Sequence, residues 1–310
     1  VLNVQRLRML SELHRLGTLA EVARSLSYSP SAVSQQLAIL EKEAGVTLLE
    51  KSGRRVRLTD AALGLVGHAD AVLERLERAE AELASTRPEI AGTLRVASFQ
   101  TPLLSIAPPA LTLLAREHPA LLVTITQREL AAAHDGLLAH DFDVILGEEF
   151  PGVHEPLRPG VDREELVSDP LLLVLPRTGP WSRPRSLAEL ADAPWALDPA
   201  QTPTGLWARS ALRAAGFEPH VRFDSPDPLL QAHLVRSGHA AALIPSLIAG
   251  QHLAGTHLRR LPGNPQRLIY TSVRAGRAEH PAIRAFRTAL QASAREEAPV
   301  IDSREIPLGV

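Results

Sequence analysis

Ser31, Ser34, Gln35 and Gln36 lie close together in a stretch that starts at Pro30, with Ser29 just ahead of it. Short hydroxyls can approach phosphates closely, and a carboxamide can bond an adenine edge through two hydrogen bonds. Displayed on one helix, these groups have the chemistry for reading duplex DNA. Ala32, Val33, Leu37 and Leu40 supply an inward face. Further on, Arg54, Arg55 and Arg57 cluster beside Gly53, where guanidinium groups can neutralise backbone phosphates or reach the minor groove. A plain solvated surface is the alternative for both groups. Bond-making chemistry leaves no comparable signal. There is no Gly-x-Ser-x-Gly elbow, no Walker loop and no His-Glu-x-x-His pair. The 12 histidines are scattered, and His134/His140 and His252/His257 are badly spaced for a helical metal site. Cysteine is absent, which excludes disulfides and thiolate metal centres. No metal and no cofactor are expected, and the chain is not expected to be an enzyme.

Local signals set the elements that must hold these residues. Leu7, Leu10, Leu13 and Leu16 recur at helical spacing, and Gly17 stops that helix. Thr18 caps a second helix over about Leu19 to Leu26. Tyr28-Ser29-Pro30 is a turn, and Pro30 suits the first position of a third helix, which runs to Ala44 and stops at Gly45. Val46 to Leu49 and Val56 to Thr59 read as two strands of a hairpin around Gly53. The first 60 residues carry nine Lys and Arg against six acids, although the whole chain has a net charge of −2. A basic head on an acidic body is the asymmetry of a nucleic-acid binder, with chance clustering as the alternative.

Residues 61–88 read as one long polar helix. Leu65, Ala69, Val72, Leu76, Ala79 and Leu83 follow steps of four and three, a heptad seam suited to pairing with a second copy. Packing onto its own head is the alternative. Beyond Gly92 the pattern changes to alternating strands and helices, with continuous apolar strands such as Leu171 to Leu175 that suit a sheet covered on both faces. A strand at Leu94 to Ser98 leads into a helix expected over Pro102 to His118. Two such sets read as two α/β lobes: lobe I over about 92–165 and 269–295, lobe II over about 166–268. Residues 296–310 are expected to form a flexible tail. With 310 residues the chain is long enough for two or three domains. No signal peptide and no membrane span are read, so the expected compartment is the cytoplasm.

The run Thr18 to Leu26, then Tyr28 to Leu37, resembles the helix-turn-helix of LysR-type transcriptional regulators. So do Leu40 to Leu49 and Arg54 to Thr59. The resemblance covers the whole head and extends more loosely through the linker and lobes. It departs at Val22-Ala23, where the family usually has Ala-Ala, at Leu49-Glu50-Lys51, where it often has Phe then Arg, and at Ala62, usually Gly. The fold it implies is a winged helix-turn-helix over 1–60, a linker and dimerisation helix over 61–88, and a two-lobed α/β effector domain over 92–295 like periplasmic binding proteins. Gly238 to Pro245 looks like a late strand of such domains. In that fold ligands sit between the lobes, at strand ends and helix starts where free N–H groups favour anions. The implied effector site comprises Ser98, Gln100, Thr101, Glu148, Thr202, Thr204 and Ser225. Thr101 leads that set, and a small anionic metabolite is the expected effector. Plain helix capping is the alternative for the hydroxyls, and Glu148 could instead repel an anion or hold a cation. The implied partners are double-stranded DNA, the small-molecule effector, a second copy in a homodimer, a homotetramer as is common in the family, and RNA polymerase. A freestanding substrate-binding protein or an enzyme built on the two lobes is the competing reading.

Overall fold

The computed structural model describes residues 1–52, 55–296 and 306–307. The head is built from locally capped helices. In α1 (Val4–Leu16) the Asn3 side chain accepts from the Gln5 and Arg6 N–H groups, and Gly17 ends the helix at φ 77°. Thr18 caps α2 (Leu19–Ser25). Ser29 caps α3 (Pro30–Ala44), which Gly45 ends at φ 69°. Both glycines occupy the left-handed conformation that a side chain disfavours. A hairpin follows, β1 (Leu49–Ser52) on β2 (Arg55–Leu58). Its first strand starts where the expected one ended. Thr47 is instead held by the Thr59 hydroxyl, and the Glu41 carboxylate accepts from the Leu48 and Leu49 N–H groups at 2.8 and 3.0 Å. Leu10, Val22, Val33, Leu37, Leu40 and Leu48 fill the head core.

The linker is α4 (Asp60–Ser85), capped by Thr59. The body then runs β3 (Gly92–Ser98), α5 (Gln100–Leu104), α6 (Ala107–Glu117), β4 (Leu121–Gln127), α7 (Leu130–Leu138), β5 (Val144–Glu149) and β6 (Val161–Leu175). It continues with β7 (Pro194–Leu197), α8 (Pro203–Ala214), β8 (His220–Asp224), α9 (Pro228–Arg236), β9 (Ala241–Pro245), α10 (Ala249–His252), β10 (His257–Arg260), β11 (Gln266–Arg274) and α11 (Pro281–Glu296). Among the described residues these strands join in the order β4-β3-β5-β11-β6-β9-β7-β8, with β10 on β6. β3 pairs in parallel with β4 and β5, and β7 in parallel with β8 and β9. The antiparallel pair β6 and β11 runs between the two lobes as a shared ribbon.

Three expectations for the body change. The helix expected over Pro102 to His118 is two helices, broken at Ser105 and Ile106. Pro108 and Pro109 lack N–H donors and are tolerated only in a first turn, so α6 must begin beside them. β6 is 15 residues long and begins well before Leu171. Its charged first half is matched by partners on neighbouring elements: Arg287 on Asp162 and Glu164, Glu149 on Arg163, and Arg267 on Asp169. The expected flexible tail also holds an anchored point. Ile306 is buried in the lobe II core with Trp195, Trp207 and Leu261, and its N–H donates to the Arg260 carbonyl. The Pro307 carbonyl accepts from Leu187 N–H.

Candidate DNA-reading surface and inter-lobe cleft

Val33, Leu37 and Leu40 bury one face of α3, which leaves Ser31, Ser34 and Gln35 exposed together on the other. Ser29 is also exposed. Its hydroxyl oxygen accepts from Ala32 N–H at 3.2 Å and lies 3.0 Å from that of Ser31. Gln36 departs from the expected group. It is half-buried, and its Oε1 accepts from Arg6 at 3.0 Å while Arg6 also forks onto Glu43 at 2.5 and 3.1 Å. Gln36 therefore ties α3 to α1 rather than presenting an amide to solvent. Arg57 is exposed on β2, opposite Glu50. Arg54 and the side chain of Arg55 lie outside the described residues. Tyr28, at the mouth of α3, is an exposed aromatic beside this face that the sequence reading treated only as a turn residue.

The seam of α4 divides. Ala69 is buried and Leu65 partly buried in the head's own core, so neither is free for a second copy. Head packing wins at this end because α4 lies along α1. Val72 (41% exposed), Leu76 (44%) and Leu83 (69%) remain open to solvent, as does Ala79. A third face meets the body. Arg274 Nε donates to Glu77 at 2.6 Å, and its Nη1 donates to both the Leu137 and Phe142 carbonyls. A Cβ on Gly276 would lie 2.5 Å from the Glu74 carbonyl oxygen, so only glycine allows this approach.

Between the lobes, β3 ends in the expected segment, but its groups are already engaged. Ser98 is buried and donates to the Phe99 carbonyl at 3.0 Å. Thr101 is buried too, and its hydroxyl oxygen accepts from Arg267 at 2.7 Å. The same guanidinium meets Glu148 at 2.5 Å and Asp169 at 2.7 Å. Asp169 in turn accepts from Ser246 and from Leu247 N–H at 2.8 and 2.9 Å. Burial pushes the Glu148 carboxyl upward against the pull of Arg267. From the facing lobe, Thr202 caps α8 and Thr204 follows in its first turn, half-buried. The Ser225 hydroxyl accepts from Asp227 N–H at 3.2 Å. Gln100 reaches across to Asp227 at 3.2 Å and so bridges the lobes. Asp198 accepts from Gln231 at 2.7 Å, and burial drives its carboxyl up to about 6.

The cleft therefore brings Gln100, Thr101 and Glu148 to one wall and leaves Thr202 and Ser225 mainly as caps. Arg267, Asp169, Asp198 and Gln231 were not anticipated. The local sequence carried no sign of them, because the partners that place them in the cleft lie 33 to 166 positions away. The expected preference for an anion finds no free cation in this network. Arg267 already holds two carboxylates, and Asp198 adds a third acid. Among the described residues no group of three His, Asp or Glu could hold a metal ion. No helix among them is long and apolar enough to cross a membrane.

Two families match the chain: "Bacterial regulatory helix-turn-helix protein, lysR family" over residues 4–63 and "LysR substrate binding domain" over residues 87–295. A probable HTH-type transcriptional regulator, LrrA of Synechococcus elongatus, is 26% identical over 302 residues, covering 95% of this chain and 98% of LrrA. TcbR of Pseudomonas sp. is 28% identical over 243 residues, 75% of this chain and 79% of TcbR. Among solved structures, a full-length OxyR variant from Pseudomonas aeruginosa superposes with a TM-score of 0.63 at 19% identity, covering 94% of this chain and 99% of its own. Full-length CbnR in complex with its target DNA gives 0.54 at 24% identity, covering 94% of this chain and all of its own. The helix-turn-helix, the long α4 and the mixed α/β body thus recur together in full-length LysR structures. This chain belongs to the LysR family of DNA-binding transcription regulators, non-enzymatic proteins whose second domain binds an effector.

Proposed function

We propose that the protein reads operator DNA through Ser31, Ser34 and Gln35 on α3, with Ser29 and Arg57 on phosphates and Arg54 and Arg55 extending the wing contact. The observation that carries this reading is the polar face of α3, exposed directly opposite its buried Val33-Leu37-Leu40 face. It is supported by the likeness to CbnR, whose structure holds its target DNA. Two heads, joined through Val72, Leu76, Ala79 and Leu83 of α4, grip two half-sites in the cytoplasm. A small effector between the lobes shifts how α4 is held and so biases a two-state assembly. Gln35→Ala should reduce discrimination between operator and random DNA by about 1–3 kcal/mol. Arg57→Ala should weaken both alike and flatten the salt dependence. Fluorescence anisotropy across a salt series measures both, and wild-type behaviour in the two variants would remove α3 and the wing as the reading surface.

The cleft favours an effector that brings hydrogen-bond donors or positive charge. Asp198 and Glu148 face it with acceptors, and Arg267 is occupied by its own acids. Asp198, raised to about 6 by burial, gives the reading a pH signature. A cationic effector prefers the ionised carboxylate, so its affinity should rise as pH passes upward through about 6. An anionic effector should lose affinity over the same range. Calorimetric titration of an identified effector at a pH below and a pH above this value distinguishes the two, and Asp198→Asn should flatten the trend.

A further inference from the structure

α11 is anchored in lobe I, where its Ile283, Phe286 and Leu290 pack in one core with Leu94 and Val144. Residues 297–305 separate its end from Ile306, which is fully buried in the core of lobe II. The chain therefore crosses from one lobe to the other once more, outside the β6–β11 ribbon.

The seat that receives Ile306 has a defined chemistry. The Ile306 N–H donates at 3.0 Å to the carbonyl of Arg260, the last residue of β10, and the Pro307 carbonyl accepts from Leu187 N–H at 2.8 Å. Main-chain bonds to two separate elements hold the pair as an added strand is held, with a side-chain pocket beside them. A residue that precedes proline is restricted to extended conformations, and proline brings no N–H to be left unpaired. Ile306-Pro307 is thus shaped for the seat before it arrives. The Ile306 side chain joins Leu187, Trp195, Trp207 and Leu261. β7, which carries Trp195, leads into Asp198, and α8, which carries Trp207, is capped by Thr202. The seat backs onto the elements that carry the cleft's own groups. One apolar side chain and two hydrogen bonds are a small hold against the chain entropy that a released tail regains, so the anchor is reversible.

We propose that lobe II carries a docking seat for an extended segment with an apolar residue before proline, filled by the chain's own Ile306-Pro307, and that the seated pair tethers lobe II to α11 of lobe I. With the seat filled, the lobes are joined both at the ribbon and through the tail, which narrows the range over which the cleft opens. With the seat empty, the ribbon alone joins them. The tether acts on cleft opening whatever the effector's chemistry.

Two readouts on the full chain test this. The three tryptophans of the sequence, Trp181, Trp195 and Trp207, all lie in or against the cluster that receives Ile306, so their emission reports the seat. The sequence has no cysteine, so nitroxides on Asp135→Cys of α7 and Ser237→Cys after α9, both exposed, report the distance between lobes. Labelled chain is diluted in excess unlabelled chain to keep the signal within one copy. Ile306→Asp should shift the emission to longer wavelength and broaden the distance distribution. A free peptide of residues 301–310 should bind this variant with a dissociation constant below about 1 mM and restore the emission. It should leave the distances broad, because a peptide in trans fills the seat without joining the lobes. The same peptide with aspartate in place of isoleucine should bind at least about tenfold more weakly. A Gly-Ser insertion of about ten residues after Glu296 should do the reverse, keeping wild-type emission while broadening the distances. The seat is overturned if Ile306→Asp keeps wild-type emission or fails to bind the peptide at about 5 mM. The tether is overturned if the peptide restores the narrow distances, or if the insertion leaves them as in wild type.

Discussion

Arg267→Met is expected to destabilise the effector domain by about 3–5 kcal/mol in urea unfolding, the largest loss from any single side chain discussed above. Arg267 is 2% exposed, and it is the shared partner of Asp169, Glu148 and Thr101. Removing it leaves two mostly buried carboxylates facing one another. Methionine restores much of the volume, so the loss reports charge rather than a cavity. Two further results distinguish this from general damage. Asp169→Asn combined with Arg267→Met should recover part of the stability, since one uncompensated charge disappears. Lowering the pH should also narrow the gap between variant and wild type, because the stranded carboxylates take up protons. A loss below about 1 kcal/mol would show that water reaches the network and screens it.

If the homodimer proposed above pairs through this stretch of α4, Leu76→Glu should raise its dissociation constant at least about a hundredfold and reduce operator affinity by a similar factor. The argument rests on a contrast between two states. In one chain Leu76 is 44% exposed, so a carboxylate there stays hydrated and folding is little affected. In a paired seam the same group is buried twice, once per copy, without a cation to meet it, at a cost of several kcal/mol. Unfolding midpoint and assembly should therefore separate. Ala69→Glu makes the opposite control. Ala69 is fully buried in its own head, so that change should unfold the head directly. Sedimentation showing an intact oligomer for Leu76→Glu with normal DNA affinity would remove this stretch of α4 as the pairing surface.

The head was legible because its signals are local. Thr18, Ser29 and Thr59 cap helices within three residues of themselves, and Gly17 and Gly45 end them one residue past the last turn. The long strand β6 was half-hidden for the reverse reason. Asp162, Arg163, Glu164 and Asp169 read as solvent-facing until Arg287, Glu149 and Arg267 are brought to them by distant parts of the chain. The same distance hid the cleft's chemistry. Thr101 could be placed at a strand end, but not the guanidinium 166 positions later that occupies its hydroxyl. Pro108-Pro109 is by contrast a local signal for the start of α6, since two consecutive imino acids are not tolerated in a helix interior.

The paired strands β6 and β11 hold register from Gln266 opposite Pro170 to Arg274 opposite Val161, with one irregularity between Ile269 and Tyr270. An antiparallel pair with hydrogen-bonded rungs at alternate positions resists stretching, and the irregular rung, where β11 also pairs with β5, concentrates its twist. The lobes are thus joined by something closer to a torsion bar than to a door hinge. Its far end is Arg274, clamped to Glu77 of α4. Torque generated where a ligand draws the lobes together would emerge as rotation of the linker. DNA half-sites repeat with the pitch of the double helix, about 34–36 Å per turn. In the dimer proposed above, such a rotation would set the two heads in or out of phase with the groove without moving them far apart.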